Sequence, residues 1–64
     1  MNEKLLDVRW VQLRPGVTVL HDDGQTGRAR IVEHIGNRTT VVFDDGRREQ
    51  HEDTDAALVV VHDG

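Results

Sequence analysis

The chain contains no cysteine, no serine and no tyrosine, and one each of proline, tryptophan and phenylalanine. Without cysteine, neither a disulfide nor a thiolate metal site is available to staple the fold. With serine missing too, the two most familiar nucleophiles of covalent catalysis are both absent. The longest apolar run, residues 56–61, is six residues, far short of the roughly 20 that span a bilayer. The N-terminus has no apolar stretch between a basic start and a cleavage site, so no signal peptide is expected and a soluble, cytoplasmic protein is. Sixty-four residues build one small domain, 1–64. A domain of that size buries about 60% of its unfolded surface and has little room for a substrate-enclosing pocket. Neither an enzyme nor a cofactor nor a small-molecule substrate is expected.

Valine dominates the apolar residues, with ten positions. Charge is unevenly spread around a net −4: residues 28–48 carry +2, five arginines against Glu33, Asp44 and Asp45, and residues 49–64 carry −5. One arginine-bearing face and one acidic face follow. A phosphate-binding surface needs a net basic footprint, which the whole chain lacks. Seven of the eight basic residues are arginine, which suits planar partners such as carboxylates on another protein.

The pattern along the chain is that of short strands and tight turns. A strand at 17–20 follows Pro15-Gly16. A polar loop with two glycines, 21–27, leads into a strand at 28–35. Gly36-Asn37 and Asp45-Gly46 are hairpin-turn dipeptides that bound a strand at 38–44. A polar edge strand at 47–52, a turn at 53–56 and a buried strand at 58–61 complete the series. The N-terminal segment is ambiguous. Leu6, Val8 and Trp10 alternate as in a strand, whereas Leu6, Trp10 and Leu13 fit a helical spacing. β-Branched Val8 and Val11, with Pro15 limiting a helix, favour the strand. The expected fold is all-β, a small, strongly bent barrel of five short strands, with the N-terminal segment an extra strand or a short helix.

Two registers are available to the hairpin at Gly36. A two-residue loop sets Ile31 opposite Val42 and Arg30 opposite Phe43. A three-residue loop sets Ile31 opposite Phe43, Glu33 opposite Val41 and Arg30 opposite Asp44, and collects Ala29, Ile31, Ile35, Val41 and Phe43 on one face. Register follows the buried face, so the second is preferred and Phe43 is expected to pack on Ile31. The phrases His21-Asp22-Asp23-Gly24 and Phe43-Asp44-Asp45-Gly46 repeat at a separation of 22 residues. The intervening residues do not match, so the repeat reads as shared strand-end turn chemistry.

Residues 14–32 resemble a KOW motif: Gly16 before a strand with Val17 and Val19, then Gly24 and Gly27 around a loop, then Ile31 with Val32. Residues 41–61, with Val-Val-Phe-Asp-Asp-Gly, a polar strand and Leu-Val-Val-Val, resemble the second half of a Tudor-like or SH3-like barrel. The resemblance implies an SH3-like barrel over 15–62, with 1–14 as an N-terminal arm or first strand. It implies a binding module of transcription, translation or chromatin-type assemblies, acting through the first inter-strand loop, His21 to Gly27. A methyl-lysine cage needs several aromatics, and Trp10 and Phe43 are all the chain has. RNA-binding versions carry a basic loop, where this chain has Asp22-Asp23. A protein partner of the transcription or translation machinery is therefore favoured over nucleic acid bound through the arginines. A third reading is a small phage-type inhibitor whose acidic C-terminal half mimics a phosphate backbone.

The candidate binding residues are Asp22, Asp23 and Gln25 of the first loop, Arg28, Arg30, Arg38, Arg47 and Arg48 of the adjoining strands and turns, and Trp10. The arginines alternatively form a solvated sheet face with an Arg30–Asp44 pair. Trp10 is either a core plug or, if exposed, an interface anchor. The histidines His21, His34, His51 and His62 each lie near acids but lack the spacing of a metal site, so no metal is expected.

Overall fold

The computed structural model describes residues 2–63, with side chains described for residues 3–62. Six strands form one antiparallel sheet: β1 Asn2–Arg9, β2 Thr18–Leu20, β3 Thr26–Ile35, β4 Arg38–Phe43, β5 Arg48–Glu52 and β6 Ala56–Asp63. A single 3₁₀ turn, Trp10–Gln12, follows β1. No α-helix occurs among the described residues, and no helix is long and apolar enough to cross a membrane. The five strands expected between 17 and 61 are all present. The N-terminal segment supplies a sixth strand, and the helical spacing of its C-terminal part ends as the 3₁₀ turn.

The strand order is β1-β6-β2-β3-β4-β5. The ladder is open, with β1 and β5 as its edges. The sheet bends around one core made of Val19, Ala29, Val41, Phe43, Ala57 and Val59 from four strands, closed below by Trp10 and Leu13. The 3₁₀ turn is tied to the β5–β6 turn by the Trp10 amide on the Asp55 carbonyl (3.1 Å) and the Val11 amide on the Asp53 carbonyl (3.2 Å). Asp53 is the joint of that end, since its amide also donates to the Asn37 carbonyl (3.0 Å) and its carboxylate accepts from buried Thr39 (2.7 Å).

The register at Gly36 corrects the preferred one. Ile35 pairs with Arg38, so the loop has two residues, and Ile31 faces Val42. Gly36 takes φ +63°, the positive value that the first position of a two-residue hairpin turn demands and glycine supplies without strain. A three-residue loop would instead ask Arg38 for the left-handed conformation. The buried face is rescued by a β-bulge between Ala29 and Ile31, which returns Ala29 to a position opposite Phe43. The bulge absorbs Arg30 and resets the alternation. Ile31 and Ile35 consequently lie on the outer face, 42% and 64% exposed, and the expected core face of Ala29, Ile31, Ile35, Val41 and Phe43 loses both isoleucines. The expected Ile31–Phe43 and Arg30–Asp44 pairs are absent from the ladder. Val32 packs inward in place of Ile31.

Candidate functional site

The two Asp-Asp-Gly turns have the same construction. In the first, between β2 and β3, the Gln25 amide donates to the Asp23 carboxylate (3.0 Å) and the His21 amide to the Gln25 carbonyl (2.7 Å). In the second, between β4 and β5, the Arg47 amide donates to the Asp45 carboxylate (2.9 Å) and the Phe43 amide to the Arg47 carbonyl (2.8 Å). In each, an aspartate side chain mimics a turn of backbone, the ordinary reason for Asp at this position. β2 and β4 both run antiparallel to β3, so their C-terminal turns lie at the same end of the sheet. Arg47 joins them, with its guanidinium 3.6 Å from the Asp23 carboxylate.

This rim is anchored in the core through Glu49 of β5, a half-buried carboxylate facing inward. One oxygen lies 3.0 Å from His21 Nδ1 and 3.4 Å from Arg47 Nε, and the other lies 2.9 Å from His51 Nε2. Each imidazole is held by an aromatic ring. His21 is buried and meets Phe43 edge-on at 4.7 Å, and His51 stacks on Trp10 at 3.8 Å, within 4° of parallel. Room for the His21 ring comes from Gly27, where a Cβ would stand 2.7 Å from His21 Nε2 and 3.1 Å from Phe43. The two histidines turn toward one carboxylate rather than toward a common vacant point, and no group of three or more His, Cys, Asp or Glu side chains placed to hold a metal ion occurs among the described residues.

The Gln25 amide, and after it the nearby Arg47 guanidinium, hold the Asp23 carboxyl below the usual aspartate range. Hydrogen bonds and positive charge both favour the ionised form, so the rim keeps Asp23 negative.

The structure gathers Asp22, Asp23, Gln25 and Arg47 on this rim. Arg28 and Arg30 line a shallow open depression beside the second turn together with Asp44, Pro15 and Gly16, and the Asp44 amide donates to the Arg28 carbonyl (2.9 Å). Arg38 lies at the opposite hairpin, paired with Glu52 (3.2 Å) and near Gln50 (3.4 Å). Arg48 sits on β5 opposite Val42. The arginines are thus divided among four places rather than gathered on one face. Trp10 is 5% exposed, so it is a core plug and not an exposed anchor. His21, which opens the first loop, and Glu49 and His51 of β5 join this cluster without having been among the candidate binding residues; the signal for the latter two is their period-two spacing, which sets both on the inner face of β5.

Compared with protein-family models, with curated proteins and with solved structures, the chain matches none.

Proposed function

We propose that this chain is a non-catalytic interaction module, an SH3-like barrel of KOW type, that binds a basic protein surface through the rim of its two Asp-Asp-Gly turns. The observation that carries this reading is the Arg47 bridge from Asp23 to Glu49, which links the two loops into one acidic rim. Loops held on a rigid scaffold are where recognition concentrates, and a rim whose shape is set in advance loses less entropy on binding. A protein component of the transcription or translation machinery is the partner class the KOW resemblance implies. Nucleic acid is the weaker reading, because Asp22, Asp23, Asp44 and Asp45 stand beside Arg28, Arg30 and Arg47 and oppose phosphate.

The test uses Asp22→Lys/Asp44→Lys, which spares Asp23 and Asp45, whose carboxylates hold the turns. Fluorescence anisotropy is measured with a lysine- and arginine-rich peptide and with a single-stranded RNA. Binding of the peptide by wild type, lost in the variant while the thermal melt is retained, supports the reading. Binding of the RNA that tightens in the variant, with a steeper salt dependence, overturns it in favour of nucleic acid.

A further inference from the structure

The two edges of the sheet differ. β5 is short and wholly polar, Arg48-Glu49-Gln50-His51-Glu52, the composition that keeps an edge from pairing. β1 is eight residues long and no strand pairs with its outer side among the described residues. It exposes Leu5 on one face and Leu6 on the other, at 54% and 48%. Leu5 stands beside Val60 in a shallow depression that also includes Leu20, Thr18 and Thr26 and is bounded by Glu3 and His62, 3.7 Å apart, so an apolar strip continues from the edge onto the outer face.

The direction of the free backbone groups follows from the end of the strand. The Trp10 amide points across to Asp55, beside β6 (3.1 Å), whereas the Arg9 amide is taken by the Gln12 side chain (2.8 Å). Alternation in an antiparallel ladder then turns the N–H and C=O of Glu3, Leu5 and Asp7 to the open side. A second copy that adds antiparallel about a two-fold axis normal to the sheet keeps like faces together, so only residues of the same face oppose each other. Centring on Leu5 sets Glu3 against Asp7. Centring on Asp7 sets Asp7 against itself, and centring on Lys4 sets Lys4 against itself. Centring on Leu6 sets Glu3 against Arg9 of the second copy, twice, and brings Leu5 and Asp7 into reciprocal hydrogen-bonding positions. It also places Leu6 against Leu6.

We propose that this chain self-associates through β1, in the antiparallel register centred on Leu6, with Glu3–Arg9 pairs at both ends of the joint. The dimer carries one continuous sheet through both copies and joins the two Leu5–Val60 patches across the axis. Charge complementarity, since like charges directly opposite are unfavourable and opposite charges favourable, favours this register over those centred on Lys4, Leu5 and Asp7, and its overlap from Glu3 to Arg9 favours it over one centred on Val8, which pairs only the end of the strand.

Sedimentation equilibrium with Glu3→Arg and Arg9→Glu tests the inference, with circular dichroism to establish folding. Wild type is expected at twice the 7.2 kDa chain mass, and each single variant is expected to dimerise at least about tenfold more weakly, since two attractive pairs become repulsive. A one-to-one mixture of the two variants restores the dimer. The reversed charge at position 3 of one variant then meets the reversed charge at position 9 of the other, and the native Arg9 of the first meets the native Glu3 of the second. Wild type that stays at one chain mass up to about 1 mM overturns the proposal, and so does a dimer that neither variant weakens or a mixture that restores nothing.

Discussion

Phe43→Ala and Ile31→Ala separate the bulged register from the three-residue-loop one. In the three-residue-loop register the two side chains share the core and their truncations cost alike. In the structure Phe43 is fully buried, facing Ala29 and the His21 ring, while Ile31 is 42% exposed opposite Val42. Truncating a buried phenylalanine costs about 3–5 kcal/mol. At roughly 0.05–0.15 kcal/mol per residue, a domain of 64 residues holds about 3–10 kcal/mol in all. Phe43→Ala is therefore expected to leave the chain unfolded or close to it at 25 °C. Ile31→Ala loses partly solvated methylenes and leaves no enclosed cavity, so its cost is about 1 kcal/mol. Urea titrations followed by far-ultraviolet circular dichroism and by emission from buried Trp10 measure both. Equal costs, or a Phe43→Ala protein with near-wild-type stability, would refute the bulge and the core built on it.

Gly27→Ala is expected to lower stability by about 1–3 kcal/mol, read as a fall in melting temperature, because the new Cβ meets His21 Nε2 at 2.7 Å; an unchanged melting temperature would show that the His21 ring is free to move. His51→Ala uncovers the stacked face of Trp10 and is expected to red-shift its emission at a cost of about 1 kcal/mol; unchanged emission would deny the stack. Because the folded Asp23 carboxyl titrates lower than the unfolded one, its contribution is fully present above the ordinary aspartate range and is lost as pH falls through its folded value. Asp23→Asn should therefore flatten the acid limb of stability below about pH 5, and a carboxyl carbon titration midpoint at or above the ordinary range would contradict the lowered value.

The strands were legible because their signals are local. Glycine and aspartate at turns, and β-branched runs between them, need no knowledge of the rest of the chain. Register was not legible, because it depended on one residue that breaks the alternation. Arg30 leaves no trace of a bulge in composition, and uniform period-two reading carried Ile31 and Ile35 to the wrong face. The Gly36-Asn37 dipeptide held the answer, since a glycine in first position favours a two-residue loop whatever the apolar count says. The choice between strand and helix for the N-terminal segment had no single answer: the alternation of Leu6 and Val8 is spent in β1, and Trp10 then turns inward on one 3₁₀ turn.

The rim was half legible. The repeated Asp-Asp-Gly phrase announced two turns of one chemistry, but nothing in their separation announced that they meet. That depends on β2 and β4 both lying antiparallel to β3, and on Arg47 being long enough to cross between the turns. Glu49 is less legible still. A glutamate in a polar edge strand reads as a solvated charge, and only the bend of the sheet turns it toward His21 and His51. A half-buried carboxylate is costly without donors, so the two imidazoles and Arg47 are what allow it there. Once satisfied, it couples Phe43 and Trp10 of the core to the first loop through side chains alone. Removing Glu49 would therefore strip His21 and Arg47 of a shared acceptor and loosen the rim while leaving the strand ladder in place. The rim of the two turns and the packing of the core meet at that one carboxylate.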